Sequence, residues 1–393
     1  MKKLIFIIFF LLFQESLISQ KLNDNVALQV PEKEYQALVD IYNQLNGANW
    51  GTSNGWKKWS ITENNLHEEP WSGVTVENGH VTGLDLYYFY NVKGKLPESI
   101  KNLEYLKYLN LSSYYYKKDL SGTDWNVISK LKDLETLNLY GNNNIQGALP
   151  ESWGELQKLK NLYIGYNSID QLPSTIGNMI SLTRLEANNN QIKEIPKTIA
   201  KTKLEYIYLS YNNIQKVPKE LEEIKSLKNI YLDYNQISEI EGLLPYEVAY
   251  YDLRNQTVSL PLLQYKGEDV EISLPPIFLY NRSKNDFSQK TKIQVYLKGS
   301  QVGEALTVSD EGVVILPKSY LSTIKKGDDL YLRQDYYNQN NTYMGSNELR
   351  FTKIEIDLPK VPEKEYQVLL DIYNQMNGAN WGTSNGWKKW SIT

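Results

Sequence analysis

The sequence predicts an α/β solenoid on a parallel sheet, opened by a helical cap and followed by an all-β domain. Three observations carry this reading. The pattern L-x-x-L-x-L-x-x-N recurs in register from Leu134 to Ile240. Upstream of it lies an aromatic-rich segment with a helix signature. Downstream, from residue 247, the periodicity changes from a repeat to simple apolar alternation.

The repeats fix the sheet. Leu134, Leu137 and Leu139 lead to Ile145 and Leu149-Pro150, and the pattern returns as Leu159, Leu162, Ile164, Asn167, Ile169 and Leu172-Pro173. It comes again from Leu182, Leu204 and Leu227, with Asn190, Asn212 and Asn235 in the place of Asn167. This is the leucine-rich repeat signature, in which each L-x-L is a short strand that sends its leucines inward and the residue between them outward. The Asn has donors and an acceptor with which to satisfy backbone groups inside the turn. One repeat cannot bury its own apolar edge, so stability comes from stacking. Counting back to Leu84-Leu86 and Leu109-Leu111, successive spacings are 25, 28, 25, 23, 22 and 23 residues. About seven repeats are therefore expected over residues 79–246. Residues 112–123 read as an inserted loop containing Tyr114, Tyr115 and Tyr116.

The chain opens with Lys2 and Lys3, then an apolar run from Leu4 to Phe13 and a polar stretch to Ser19-Gln20. This pattern predicts a secretory signal peptide over residues 1–19, too short for a membrane span. No second long apolar run follows, so no transmembrane segment is expected in the mature chain. Export implies a secreted or cell-surface location. Removing Lys2, Lys3 and Glu15 takes the net charge from −4 to −5. A mildly acidic chain argues against nucleic acid as partner. There is no cysteine, which excludes thiol chemistry and a lipidated cysteine anchor and suits an exported bacterial protein.

Residues 20–78 are expected to form the cap. Pro31 opens a helix with Glu32 and Glu34 at its positive end and Gly47 past its close. Tyr35, Leu38, Tyr42 and Leu45 share one face. Trp50, Trp56, Trp59 and Trp71 follow, then "W.GV.V" and "G.VTGLDL" over residues 71–86. These motifs, with "NG.NW" at 46–50 and "G.LP" at 94–97 and 147–150, resemble the N-terminal cap and repeats of plant-receptor-type leucine-rich repeat proteins. Without cysteines, the chain looks like secreted or surface bacterial relatives. The resemblance implies an interaction module, with aromatic packing where relatives use a disulfide.

Alternation at Val270, Ile272 and Leu274, at Ile293, Val295 and Leu297, at Leu330 and Leu332, and at Leu349 and Phe351 predicts strands with one buried face. Residues 247–357 are expected to form a β-sandwich, Ig-like by preference, though no Cys–Trp–Cys signature supports it. Residues 358–393 look like a truncated second copy of the cap. Val361–Thr393 repeats Val30–Thr62 except that Ala37, Val39 and Leu45 become Val368, Leu370 and Met376.

No catalytic constellation, cofactor site or metal site is apparent. His67 and His80 lack motif-spaced partners. Asp310-Glu311 and Asp328-Asp329 read as solvated turns, since no calcium loop of EF-hand spacing surrounds them. The outward faces of the strands stand out instead. Tyr163, Glu186, Tyr208 and Tyr231 occupy one column, and Tyr166, Asn189, Tyr211 and Tyr234 the column three residues on. Arg184, Asn188, Tyr206 and Asp233 adjoin them. With strands about 4.8 Å apart, Tyr208 should stand beside Tyr231 and Tyr211 beside Tyr234. These twelve residues are the candidate ligand-binding site on the concave face. The expected function is non-catalytic binding of a protein or peptide. Two alternatives stay open: a cell-surface glycan stacked on the tyrosines, or a targeting region of an enzyme whose catalytic domain lies beyond Thr393. The rings also have a purely structural reading, in which they stack on each other and stabilise the sheet.

Overall fold

A computed structural model describes residues 30–50, 71–113, 118–142, 145–241, 250–260, 262–275, 278, 292–309, 312–337 and 343–356. The signal peptide, Trp56, Trp59, His67, Tyr114 to Tyr116, Asp310-Glu311 and the second cap copy lie outside the described residues. The chain forms two compact units. One comprises the described residues up to Val258 with those in 274–291 and 334–348. The other comprises those in 259–273, in 292–333 and from Leu349 on.

In the first unit, helix α1 (Glu32–Gln44) buries Tyr35, Ala37, Leu38, Val39, Ile41 and Tyr42. It packs on the 3₁₀ turn Glu98–Asn102. The helix stops because Asn46 turns left-handed at φ 67°. Gly47 serves space rather than backbone freedom there, since a Cβ on it would sit 2.1 Å from the Tyr42 ring. Glu34 is fully buried on this helix. Its carboxylate accepts the Val81 amide and meets His80 Nδ1, both at 2.7 Å, tying α1 to the sheet. Trp50 packs against Tyr42 and Phe89, and Trp71 against Tyr35.

The sheet has nine strands: β1 (Val74–Glu77), β2 (His80–Asp85), β3 (Tyr108–Asn110), β4 (Thr136–Asn138), β5 (Asn161–Tyr163), β6 (Arg184–Glu186), β7 (Tyr206–Tyr208), β8 (Asn229–Tyr231) and β9 (Tyr250–Asp252). β1 and β2 pair antiparallel, and every later pairing is parallel. The register matches equivalent residues, so that Leu84, Leu109, Leu137, Leu162, Leu185, Ile207 and Ile230 form one fully buried row. On the other side of the core each repeat between β2 and β8 closes through a short 3₁₀ turn. Pro97, Pro150, Pro173, Pro196 and Pro218 start five of these turns, because the ring holds φ where the extended entry requires it.

The repeat asparagines join neighbouring turns as well as filling their own. Asn212 Nδ2 donates to Leu209 O in its own repeat and to Ala187 O in the one before, while its Oδ1 accepts the Ile192 amide at 3.0 Å. Asn190 and Asn235 repeat the arrangement.

The array does not end at residue 246 as the sequence suggested. β9 continues the parallel sheet, pairing Asn229 with Tyr250 and Tyr231 with Asp252. Gln256 takes the asparagine's place, donating to Leu232 O at 2.9 Å and accepting the Ile237 amide at 3.0 Å. Segment 346–348, in the same unit, then covers this last rung. Asn347 Oδ1 accepts the Gln256 amide, and Glu348 N donates to Gln256 O. A single domain boundary at 247 is thus replaced by interleaved segments.

In the second unit, Lys292–Leu297 pairs antiparallel with residues 330–333, and Val270–Ser273 pairs antiparallel with Val313–Leu316. The apolar sides of these strands are buried at Ile272, Ile293, Val295, Leu297, Leu330 and Leu332. Lys298 and Gly299, at φ 53° and 77°, make the two-residue turn between Leu297 and Ser300. Asp328 and Asp329 are held by Lys298 at 3.1 Å and Arg350 at 3.0 Å.

Candidate functional site

The outer face of the sheet is built by alternation. In each strand the two apolar residues point into the core, and the residues flanking them point out. Tyr163, Glu186, Tyr208 and Tyr231 thus stand in one row, and each is half-buried by its row neighbours. The Tyr208 and Tyr231 rings stack, with centroids 4.7 Å apart and planes 9° from parallel. Three residues on, Tyr166, Tyr211 and Tyr234 are 46%, 47% and 45% exposed, unlike the half-buried row. Tyr211 and Tyr234 stack at 4.1 Å and 8°, and Tyr166 tilts against Tyr140 at 5.0 Å.

The backbone under the exposed row is unusual for tyrosine. Tyr166, Tyr211 and Tyr234 sit at φ 55° to 57°, in the left-handed region. Other rungs of the row place Gly141, Asn189 and Asn255 there at φ 77°, 56° and 59°. Gly and Asn tolerate this conformation, whereas a bulky side chain is disfavoured by about 1–2 kcal/mol. The turn needs a positive φ, and three of its rungs meet that need with the less suited residue.

Arg184 and Glu186, both expected among the ligand-binding residues, are paired with each other on this face. The guanidinium reaches Glu186 Oε1 at 2.5 Å and lies 5.3 Å and 4.8 Å from the Tyr206 and Tyr208 ring centroids. The pair satisfies itself because the β6 side chains point the same way two residues apart, and the rings of β7 lie alongside. Burial works against the Arg184 charge, but Glu186 and the nearby phenols more than offset it and hold its pKa above the usual value. Asn188 and Asn189 offer main-chain carbonyls to Tyr166 N and Asn167 N, so their backbones belong to the turn.

Four contributing residues were missed by sequence reasoning: Ser210, Lys228, Asp252 and Arg254. Ser210 donates its hydroxyl to the Asp233 carboxylate. Lys228 pairs with Glu205 at 2.6 Å and borders the Tyr206 ring. Asp252, on the unexpected ninth strand, and Arg254, just past it, form a nearly buried ion pair beside Asp233. Only the substitution of Gln256 for the ladder asparagine hid that rung, since Tyr251 and Leu253 keep the apolar spacing. Burial raises the Asp233 pKa above the normal carboxylate range, and the charge of Asp252 adds to it. Burial also pushes the Tyr211 phenol up to about 12, helped by its hydrogen bond with Tyr234 and by the Asp233 charge. Among the described residues no cluster of three metal-ligating side chains occurs, and no helix is long and apolar enough to cross a membrane.

The family comparison agrees with the repeat architecture. Residues 81–201 match the family of leucine-rich repeat regions, and residues 180–237 match the leucine rich repeat family. No curated protein matches the sequence. Among solved structures, the chain is similar to the ectodomain of the Arabidopsis thaliana receptor kinase GASSHO1/SCHENGEN3 in complex with CASPARIAN STRIP INTEGRITY FACTOR 2. Identity is 21% over 62% of this chain and 28% of that one, with a TM-score of 0.48. It is also similar to the secreted internalin-like protein Lmo2445 of Listeria monocytogenes, 15% identical over 84% of this chain and 99% of that one, with a TM-score of 0.45. A plant ice-binding protein matches at 20% identity over 60% of this chain and 82% of that one, with a TM-score of 0.44. The chain thus spans little more than a quarter of the length of the plant receptor ectodomain. Residues 81–237 are a leucine-rich repeat region, stacked in register and presenting its tyrosines on the outer face of the sheet.

Proposed function

We propose that this chain is a non-catalytic extracellular recognition module that binds a protein or peptide on the tyrosine-rich concave face of its repeats. One observation carries the reading. Tyr166, Tyr211 and Tyr234 are exposed, and they are held in a backbone conformation that the same row elsewhere fills with Gly or Asn. A side chain that costs local stability and remains in solvent has its value outside the folded chain. Tyrosine suits that role, offering a large rigid ring and a hydroxyl with little rotamer entropy to lose. The matched repeat families indicate no enzymatic activity. Export of the chain and the wider site, including Tyr163, Arg184, Glu186, Asn188, Asn189, Tyr206, Tyr208, Tyr231 and Asp233, are part of the same proposal.

The test is capture from cell-surface extracts by the wild-type chain and by a Tyr166→Asn/Tyr211→Asn/Tyr234→Asn triple variant. Asparagine keeps the turn intact, because Asn189 and Asn255 already occupy this row at the same φ. Specific partners should be lost from the triple variant while its thermal unfolding shows no loss of stability. The same partners retained at the same yield would end the proposal.

A further inference from the structure

We propose that the Tyr211–Tyr234 stack, beside the Asp233 carboxylate, receives a basic side chain of the polypeptide partner, best an arginine. The inference rests on the concave-face reading above and names the chemistry of what docks there.

The chain itself shows what such a stack accepts. On the same face, Arg184 lies over Tyr206 and Tyr208, with the Tyr208 ring stacked on Tyr231 and the guanidinium bound to Glu186. In the second unit, Tyr296 and Tyr331 stack at 5.0 Å and 2°. Arg350 lies 4.2 Å from one ring and Arg333 5.2 Å from the other, and Arg350 is bound to Asp329. Both constellations have the same three parts: a parallel tyrosine pair, a guanidinium over a ring face, and a carboxylate that fixes the guanidinium. The ring faces carry negative potential and attract a flat cation that water holds weakly.

The Tyr211–Tyr234 pair has two of the three parts. Its rings stack more tightly than either other pair, at 4.1 Å, and both remain nearly half exposed. Asp233 directly precedes Tyr234, and its carbonyl accepts the Tyr211 amide at 3.0 Å. Its carboxylate is oriented by the Ser210 hydroxyl. Among the described residues no cation lies over either ring, and no basic side chain forms an ion pair with Asp233. Arg254, on the next rung, is committed to Asp252. The charge of the face agrees. Its outward strand positions carry Asp85, Glu186, Asp233 and Asp252 against Arg184 and Arg254, both arginines are paired within the chain, and the bordering Lys228 is paired with Glu205. A partner that brings a guanidinium restores the balance and completes the third constellation.

The probe is a blocked heptapeptide, Gly-Ser-Gly-Arg-Gly-Ser-Gly, with a twin in which citrulline replaces arginine. Citrulline keeps the shape and removes the charge. Binding is read by NMR on the tyrosine ring resonances of the folded protein. The arginine peptide should shift the Tyr211 and Tyr234 rings and bind at least tenfold tighter than its twin. Asp233→Asn should erase the difference between the peptides. Tyr234→Asn, which fits the local backbone, should do the same and guards against misfolding of the first variant. Equal response to the two peptides, no response to either, or undiminished preference in both variants overturns the inference. If extract partners are lost from the asparagine triple variant while the peptides are not distinguished, docking stands and the cation falls. Discrimination of the peptides with no partner captured gives the reverse.

Discussion

At the residue scale, the exposed tyrosines separate stability from function. Tyr166, Tyr211 and Tyr234 each bear the cost of a left-handed backbone, about 1 kcal/mol or more. What they regain within the chain differs. Tyr211 and Tyr234 recover about 0.5–1.5 kcal/mol from their parallel stack, so replacing either leaves stability near its starting value. Tyr166 has only a tilted contact with Tyr140. Tyr166→Asn is therefore expected to leave the protein as stable or up to about 1 kcal/mol more stable in denaturant unfolding. A loss of more than about 1 kcal/mol would mean that Tyr166 is a packing residue, and the structural reading of the row would then apply to it. The side-by-side placement of these rings was legible from register alone, because equivalent residues of in-phase repeats must become neighbours in a parallel sheet. Their positive φ was legible only indirectly, through the Gly and Asn that share the row. The capture of Arg184 by Glu186 and two rings was not legible, since rotamers decide it and the pattern does not.

At the scale of the element, the asparagine ladder does more than the sequence implied. A ninth-position Asn was expected to satisfy its own turn. In the folded chain Asn190, Asn212 and Asn235 also bond the preceding repeat through Nδ2 and supply Oδ1 to a backbone amide there. Asn212→Ala leaves the Ile192 amide without its partner in a dry interior, at about 1–3 kcal/mol. The Ala187 and Leu209 carbonyls each lose one donor but keep Asn190 and Asn235, so a loss of about 2 kcal/mol is expected. Asn213→Ala, one residue along and touching only Gln191 O and Gln236 at the surface, should cost less than about 0.5 kcal/mol. Equal costs for the two in chemical denaturation would remove the ladder as a stabilising device. The same logic explains why the ninth strand escaped notice. Glutamine is one methylene longer than asparagine, yet Gln256 reaches the same carbonyl and amide. A search for Asn stops one rung early, whereas a search for any side-chain amide at that spacing does not. The pairing of Asn347 and Glu348 with Gln256 in the first unit is a long-range fact that no local pattern encodes.

At the scale of the whole molecule, stability against pH is set by a few buried groups, and Lys118 dominates the neutral range. Its amine is buried and donates to the carbonyls of Leu86 and Ser112. Burial pulls its pKa down to about 7, with the Asp85 charge opposing. The unfolded chain keeps this lysine near its ordinary pKa of about 10.4. Between these values the unfolded state binds a proton that the folded state has released, so stability must rise with pH from about 7 upward. Below about 7 both states are protonated and the penalty of burying the charge is present in full. Above about 10 the opposite sign takes over. Burial raises the phenols of Tyr42, Tyr108 and Tyr163, and burial with its neighbours raises Tyr211, so these groups lose stabilisation as the unfolded tyrosines ionise first. On the acid side, Glu151 opposes burial with hydrogen bonds from Ser174 and Thr175 that hold its pKa below normal. Its contribution is lost as pH falls through that depressed value. The curve should therefore peak in mildly alkaline solution, not at neutrality. Urea unfolding at pH 7 and pH 9 tests this directly. Wild type should be more stable at pH 9, and Lys118→Met, which fills the same volume without a charge, should gain stability at pH 7 and lose most of the slope. A wild-type curve that is flat or falling between those points, or an equal slope in the variant, would show that the Lys118 amine stays charged in the folded chain.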